Sequence, residues 1–273
     1  MTQPRRPDTG NRQTDSQAYT SRREHFRRML TVFGRKPAIE ALRDTALDCQ
    51  VLHLARSNRE DGLVRELREL AARRGIDVQE HNRAELARIS RNGKQDQGVA
   101  LDVLCPGFQS LAAYLGHLGD AGHARLLALD GVTNPQNMGM SLRSARGAGM
   151  DGILYADQGN PALGPLVVKA SAGTLYSAPV LRCERIASAA QACLEAGFTL
   201  YTLEADAAHC LFDTAFAARS LFILGGETDG VSADTRALPH TALSIPMASG
   251  VESLNVAVSA ALVGYASRLR RSP

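Results

Sequence analysis

The chain has 273 residues, of which 44% are hydrophobic, and a formal net charge of +3 at pH 7. This length favours one large domain or two of ordinary size, and the apolar content is enough for a buried core. No apolar run is long enough to span a bilayer, and the N-terminus lacks the apolar stretch of a signal peptide. Five scattered cysteines without a C-x-x-C pair indicate reduced thiols in a cytoplasmic protein, and they predict neither zinc nor disulfides.

The positive charge is concentrated at the N-terminus. Residues 1–28 contain seven arginines against Asp8, Asp15 and Glu24. We expect residues 1–30 to form a flexible basic tail, because their polar composition cannot build a core. Such a tail either adds non-specific affinity for nucleic acid or only keeps the chain in solution, and composition does not distinguish these roles.

Strands and helices alternate over residues 31–105. A helix through Ile39 and Leu42 precedes a strand at 51–55 and a helix at 63–71 that Gly75 closes. A short strand at 76–78, a helix capped by Asn82 with Glu85, and a strand at 99–104 follow. This pattern predicts a small α/β/α sandwich, and the break at 105–107 predicts a domain boundary there.

The second unit, residues 106–273, continues the alternation. Strands are predicted at 126–129, 152–155, 198–203, 221–224 and 242–245, and helices at 111–118, 137–148, 166–172, 186–196 and 255–269. Several strands are continuous apolar runs, which is typical of a parallel sheet covered on both faces. Ligands of such α/β sheets bind at the carboxyl ends of strands. We therefore expect a site where the loops 130–137, 225–230 and 246–255 meet.

The glycine loop at 225–230 indicates what kind of ligand this site takes. It is not a Walker A loop, because Val231 stands where the lysine is required, and it is not a dinucleotide loop, because Glu227 replaces a glycine. These departures exclude a nucleotide-dependent oxidoreductase. A carboxylate repels a pyrophosphate but suits a neutral or cationic ligand such as S-adenosylmethionine, and glycines let the backbone approach a flat ring.

The other two loops carry polar side chains with two interpretations each. Asn137 is either a helix cap or a site residue, and Arg143 is either a solvated arginine or a phosphate ligand. Ser253 and Asn255 lie where the last loop becomes a helix, so Ser253 either caps that helix or helps to form a polar site.

Three stretches together resemble a known family. They are D-x-V-x-N-P-x-N-x-G-x-x-x-R-S-A at 130–145, L-G-x-E-x-x-G at 224–230, and I-P-M through S-L-N-V at 245–256, with K-A-S-A-G at 169–173 between the first two. They resemble the SpoU (TrmH-like) family of RNA ribose 2′-O-methyltransferases in the SPOUT superfamily. Asn134 and Gly226 depart from the family's usual Asp and Asn. Residues 31–105 are similar to the L30e-like (L30e/L7Ae-type) RNA-binding domain that precedes many of these enzymes.

The resemblance implies a fold, a cofactor and a partner. The fold would be a parallel-sheet SPOUT domain with a C-terminal trefoil knot, functioning as a homodimer. The cofactor would be S-adenosylmethionine, and no metal would be needed. The residues implied to hold the cofactor are Leu203, Leu224, Gly225, Gly226, Gly230, Ile245, Met247 and Leu254.

The resemblance also implies a catalytic set. A ribose 2′-hydroxyl is a poor nucleophile, so we expect Arg143 to hold the adjacent phosphate and the developing alkoxide rather than to act as a base. Ser253 and Asn255 would position the ribose or Arg143. Asn137 would orient Arg143 or the target nucleotide, and Glu227 would hold the loop or a partner arginine.

Alternatives remain for the substrate and for activity itself. The N-terminal domain favours ribosomal RNA processing over transfer RNA methylation. A catalytically silent RNA-binding module of the same fold is the alternative from another functional class, and the complete polar set argues against it.

Overall fold

The computed structural model describes residues 24–119, 122–248 and 250–269, so most of the expected basic tail lies outside the described residues. The last residues of the expected tail, 24–30, are described. Residues 24–27 form a helical turn, and Leu30 is buried in the first strand. The folded chain therefore begins before residue 31, a correction to the expected tail of residues 1–30.

A mixed four-stranded sheet forms the N-terminal unit. Its strand order is β1-β4-β2-β3, with β4 antiparallel to both neighbours and β2 parallel to β3. The elements are β1 (Met29–Phe33), α1 (Arg35–Arg43), β2 (Asp48–Ala55), α2 (Gly62–Arg74), β3 (Asp77–His81), α3 (Arg83–Ser90) and β4 (Val99–Leu104).

Local sequence explains where these helices begin and end. The Asp61 side chain accepts hydrogen bonds from the first turn of α2, and Gly75 closes that helix in the left-handed conformation. Asn82 and Glu85 form a capping box at the start of α3. Both the Gly75 end and the capping box are confirmed.

An eight-stranded sheet forms the second unit, with strand order β10-β12-β9-β11-β6-β7-β8-β5 and parallel pairing throughout. Its first elements are β5 (Gln109–Ser110), α4 (Leu111–His117), β6 (Ala124–Asp130), α5 (Pro135–Gly147), β7 (Gly152–Ala156), α6 (Pro165–Ala170) and β8 (Val180–Cys183). They are followed by α7 (Ile186–Glu195), β9 (Thr199–Leu203), β10 (His209–Cys210), β11 (Arg219–Gly225), α8 (Ala233–Arg236), β12 (Thr241–Ser244) and α9 (Val256–Leu269). The α/β class with a parallel sheet is confirmed. The trefoil knot stays a prediction, since strand order does not determine how the chain is threaded.

Both faces of the second sheet are buried, as its apolar strands predict. Leu127 and Leu129 of β6 pack into the core on the side of α5 and α9, whereas Leu126 and Ala128 pack towards α7. All seven residues of β6 are buried. Successive residues of a strand point to opposite faces, so a strand buried on both sides is apolar at almost every position.

The two units share one continuous core. Phe108, in the segment between the sheets, is fully buried, and residues of both sheets belong to the same apolar cluster. A Cβ atom on Gly164, in the loop before α6, would lie 3.2 Å from the ring of Phe33 in β1. The two units therefore also touch at this point.

Several short elements were not predicted: β1, β5, β8, β10, α8 and a 3₁₀ turn at Thr174–Ser177. The suggested caps also differ. Asn134, not Asn137, caps α5 through its side chain, and the Asn255 side chain, not that of Ser253, accepts from the first turn of α9. Pro135 at the first helical position indicates the cap at Asn134.

The described part of the chain contains no helix long and apolar enough to cross a membrane. It also contains no group of three acidic, histidine or cysteine side chains that could hold a metal ion.

Candidate active site

Three loops meet at the carboxyl edge of the second sheet. Gly225, the last residue of β11, pairs with Asp130, the last residue of β6. On the other side of β11, β9 pairs with β12, so the loops after all four strands open on the same edge. Strand pairing therefore brings together loops that are far apart in the sequence.

A cavity of about 560 Å³ lies at this edge. Its size falls within the range of small-molecule and cofactor sites. All eight residues expected to hold the cofactor line it: Leu203, Leu224, Gly225, Gly226, Gly230, Ile245, Met247 and Leu254. Three of the five expected catalytic residues, Glu227, Ser253 and Asn255, line the same cavity.

The cavity combines apolar walls with acidic groups. Its apolar residues come from the ends of β9, β11 and β12 and from the loop before α9, and the carboxylates of Glu204, Glu227 and Glu252 are close to them. No arginine or lysine lines the cavity among the described residues. The chemistry of the walls suits an apolar ring system that carries a positive charge and excludes a pyrophosphate, as the glycine loop predicts.

The two adjacent glycines are required by backbone packing. A Cβ atom on Gly225 would lie 2.0 Å from the carbonyl carbon of Gly230, and one on Gly226 would lie 2.5 Å from the carbonyl oxygen of Gly131. Gly226 and Gly230 also exchange two backbone hydrogen bonds, of 3.1 and 3.0 Å. Gly225 and Gly226 therefore let three backbone segments approach each other, which the sequence did not indicate.

A polar triangle beside the cavity joins the three motif-bearing stretches of the chain. The Asn137 amide donates to Glu227 Oε1 at 2.7 Å, and the Asn255 amide donates to Asn137 Oδ1 at 3.0 Å and to Glu227 Oε1 at 3.2 Å. Asn255 Oδ1 accepts from the backbone N–H of Ala257. One residue of each loop thus holds the other two, with Asn137 buried beneath them.

Asp130 is a further site residue that the motif contains but that sequence reasoning did not select. Its buried carboxylate accepts from the backbone N–H of Ser232 at 2.9 Å and from the Ser232 hydroxyl at 2.7 Å. It therefore anchors the end of the glycine loop to β6. A carboxylate at the carboxyl end of an apolar strand is the signal that could have identified it.

Arg143 lies apart from the cavity. Six residues advance an α-helix by about 600°, so the side chains of Asn137 and Arg143 point about 120° apart. Asn137 is buried against the glycine loop, whereas Arg143 is exposed on a different face of α5. Arg143 makes no hydrogen bond or ion pair with any described residue, so Asn137 does not orient it within one chain.

Cysteine chemistry does not contribute to this site. Burial raises the pKa of Cys105, Cys183 and Cys193 to about 12 in each case, and none of the three lines the cavity. A thiol with such a pKa is almost wholly protonated at neutral pH and is a poor nucleophile.

Comparisons with known proteins identify the family. The family model described as the SpoU rRNA Methylase family matches residues 124–265, and the one described as RNA 2′-O ribose methyltransferase substrate binding matches residues 31–104. An uncharacterized tRNA/rRNA methyltransferase of Mycolicibacterium vanbaalenii is 32% identical over 243 residues, which cover 88% of this chain and 77% of the relative. A similarly described relative from Mycobacterium bovis is 31% identical over 244 residues, covering 89% of this chain and 75% of the relative.

Solved structures share the fold. The SpoU methyltransferase AviRb from Streptomyces viridochromogenes superposes with a TM-score of 0.61 at 22% identity, over 96% of this chain and 93% of its own. An AdoMet-bound rRNA methyltransferase from Sinorhizobium meliloti gives a TM-score of 0.59 at 21% identity, over 89% and 87% of the two chains. The fold and the family matches define the class of an RNA methyltransferase. The chain belongs to the SpoU family, as its three motifs predicted.

Proposed function

We propose that this protein methylates the 2′-hydroxyl of a ribose in structured RNA, with S-adenosylmethionine as the methyl donor and ribosomal RNA as the favoured substrate. The observation that carries the proposal is the convergence of three loops beside one cavity, where Asn137, Glu227 and Asn255 are hydrogen-bonded to one another. Family membership supports the reaction class, and AviRb, which has the same fold, was also solved with AdoMet.

The cavity suits this cofactor. Its apolar walls fit an adenine ring, and its carboxylates favour a sulfonium over an anionic ligand. When bound, S-adenosylmethionine supplies a methyl group on a positively charged sulfur. A correctly oriented oxygen can attack the carbon of this methyl group, with the sulfur as the leaving group, without help from a metal. The residues that would hold the cofactor are the eight that line the cavity as expected.

The chain's own task is then to hold the ribose and to stabilise its oxygen. Ser253 lines the cavity and makes no hydrogen bond with a described residue, so its hydroxyl is free to bind the ribose. Glu227 is engaged by two amides, which makes it a support for the loop rather than a base. Arg143 would neutralise the alkoxide and the neighbouring phosphate, while the proton leaves to water or to a phosphate oxygen.

A homodimer would bring Arg143 to a cavity. Arg143 shares its exposed face of α5 with Met140, and the adjacent helix α9 exposes Val258, Tyr265 and Leu269. Exposed apolar side chains on two neighbouring helices fit a self-complementary interface with a second copy. In such a dimer, Arg143 of one chain lies on the surface that faces the other chain.

The N-terminal unit offers a surface for RNA. A cleft of about 1000 Å³ at the start of α1 is lined by Arg35, Lys36, Arg59 and Arg83. Arg35 is paired with Asp61, and the other three have no ion pair with a described residue. Unpaired cations bind phosphates by releasing counterions, which supports an RNA substrate large enough to reach both units.

The test is a methylation assay with a matched pair of variants. The purified protein is incubated with S-adenosylmethionine and with unmodified ribosomal or transfer RNA, and the digested nucleosides are examined by mass spectrometry for 2′-O-methylribose. We expect Arg143→Ala to lower the rate by about 100-fold or more, the usual cost of losing a group that stabilises an oxyanion. Arg146→Ala, an exposed arginine one turn further along α5, serves as the control.

The outcomes separate the alternatives. Methylation of ribosomal RNA that is lost in Arg143→Ala supports the proposal, and methylation of transfer RNA alone would support the other substrate class. Binding of S-adenosylmethionine without methylation of either pool would favour the silent module. Methylation of a base instead of a ribose would refute the proposed reaction.

A further inference from the structure

A second large cleft, of about 1040 Å³, lies between the two units and takes no part in the proposed reaction. The residue 24–27 turn, β1 and the end of α3 form one wall, and the carboxyl ends of β7 and β8 form the other. Both units contribute residues to this interdomain cleft, so neither unit alone would form it.

Arg182, near the end of β8, lines the cleft, and neighbouring groups only partly balance its positive charge. Its guanidinium carbon lies 5.4 Å from the centre of the Phe108 ring and 5.8 Å from that of Tyr155, while the nearest carboxylate, on Asp157, is 3.9 Å away. Its Nε is buried without a hydrogen-bond partner among the described residues. Burial lowers the pKa of Arg182, so the folded chain holds this charge at a cost.

Arg91 faces the same cleft and adds a second positive charge. It follows α3 in the left-handed conformation, with φ of 53°, and is exposed without an ion pair to a described residue. Its charge contributes to the lowered pKa of Arg182 after the larger effect of burial. Two cations near each other repel, and an anion between them would relieve both.

An exposed aromatic side chain completes the arrangement. Phe26 lines the cleft and is 72% exposed, which folding alone does not explain. Three carboxylates line the cleft, those of Asp102, Asp157 and Glu184, but four arginines line it as well, Arg27, Arg88, Arg91 and Arg182, so the formal charge of the lining is positive. A positively charged groove beside an exposed aromatic ring is the arrangement that binds single-stranded nucleic acid.

The interdomain cleft opens on the same sheet edge as the candidate active site. Tyr155 and Arg182 are paired at the ends of β7 and β8, which follow β6 in the sheet. At a strand spacing of about 4.8 Å, β8 lies only about 10 Å from β6, whose last residue borders the active site. Asn160 lines the cleft and donates to the backbone of Leu129 in β6 at 2.8 Å, so the two sites adjoin.

We propose that a single-stranded segment of the RNA substrate crosses the interdomain cleft, with one phosphate held between Arg91 and Arg182 and one base stacked on Phe26. The proposal rests on the proposed function, because it takes the substrate of that reaction as its ligand. It assigns the cleft a role in gripping the RNA beside the methylated nucleotide.

Two exposed residues allow a test that does not endanger the fold. Binding of a fluorescein-labelled twelve-nucleotide oligouridylate is followed by anisotropy for the wild type, Arg91→Ala and Phe26→Ala. Arg73→Ala is the control, because Arg73 is exposed on α2 and lies outside the cleft. A mixed-sequence twelve-base-pair RNA duplex and S-adenosylmethionine are the comparison ligands.

We expect Arg91→Ala and Phe26→Ala each to weaken oligouridylate binding by about tenfold. Arg91→Ala should also reduce the slope of log K against log salt by about 0.7, the value for one phosphate of a single strand. Duplex binding should change by less than about twofold, since a duplex cannot offer an unstacked base. S-adenosylmethionine binding should match the wild type, which checks the fold.

The opposite results would overturn the proposal. Oligouridylate binding by both variants within about twofold of Arg73→Ala would show that the cleft does not hold the RNA strand. Equal losses for duplex and single strand would instead assign Arg91 to duplex binding. If no RNA is methylated but Arg91→Ala still weakens oligouridylate binding, the proposed reaction is refuted and the proposed role of the cleft is retained. The two proposals can therefore fail separately.

Discussion

The contact between Asn137 and Glu227 allows a quantitative prediction. Asn137→Ala removes a charge-assisted hydrogen bond of 2.7 Å to the Glu227 carboxylate and a neutral bond of 3.0 Å from Asn255. A bond to a charged group contributes about 1.5–3 kcal/mol and a neutral one about 0.5–1.5 kcal/mol. We therefore expect a loss of about 2–4 kcal/mol, which for a chain of this size lowers Tm by about 5–15 °C.

Thermal denaturation followed by circular dichroism measures this loss. Gln136→Ala is the control, because Gln136 is an exposed amide on the same turn of α5 and its side chain makes no hydrogen bond with a described residue. Calorimetry should also show weaker binding of S-adenosylmethionine by Asn137→Ala, since the three loops that line the cavity would no longer be held together.

Asn137→Asp tests the same contact through charge. Its carboxyl group would face the Glu227 carboxylate, and two carboxylates at that distance retain a shared proton to higher pH than the separated groups, whose pKa values are about 4. The folded state then binds more protons than the unfolded state, so stability falls as pH rises above about 4. The Tm deficit of Asn137→Asp should therefore be larger at pH 8 than at pH 5.

Two results would refute this reasoning. Asn137→Ala could melt within about 2 °C of Gln136→Ala, which would mean that the polar triangle adds little stability. Asn137→Asp could show the same deficit at both pH values, which would mean that its carboxyl group does not lie beside Glu227.

Three further predictions concern the cavity, the thiols and the assembly. Gly225→Ala should abolish S-adenosylmethionine binding in calorimetry, because its Cβ would collide with the Gly230 backbone, whereas Gly62→Ala, with open space around it, should bind normally. Cys105 and Cys193, whose pKa values are raised to about 12, should resist modification by dithiobisnitrobenzoate at pH 8 until the protein is unfolded, and rapid native modification would contradict their burial. Val258→Glu should shift the protein from dimer to monomer in light scattering after size exclusion, while an unchanged mass would place the interface elsewhere.

Much of the fold follows from local sequence. The capping box at Asn82 and Glu85 and the left-handed end at Gly75 require only nearby residues, and the continuous apolar run of β6 requires only burial on both faces. Such signals act over one turn or one strand, so they can be identified without knowing the partner elements.

Elements that depend on a distant partner were not predicted. The strand Met29–Phe33 follows an arginine-rich segment and exists because it pairs with Val99–Leu104. The two-residue strands β5 and β10 have no periodicity of their own and are defined by their neighbours in the sheet. Their conformation is a consequence of long-range pairing, which local propensity does not contain.

The motifs indicated the family, and the resemblance implied eight residues that all line the cavity. Seven of them lie in the motifs, and the eighth, Leu203, ends a parallel strand at the same edge of the sheet. Only the tertiary structure decided that Asn137, Glu227 and Asn255 bond to one another while Arg143 points away, and that Phe26, Arg91 and Arg182 meet in one cleft. These relations depend on the rotation of α5 and on the packing of two units, and both result from contacts between residues far apart in the chain.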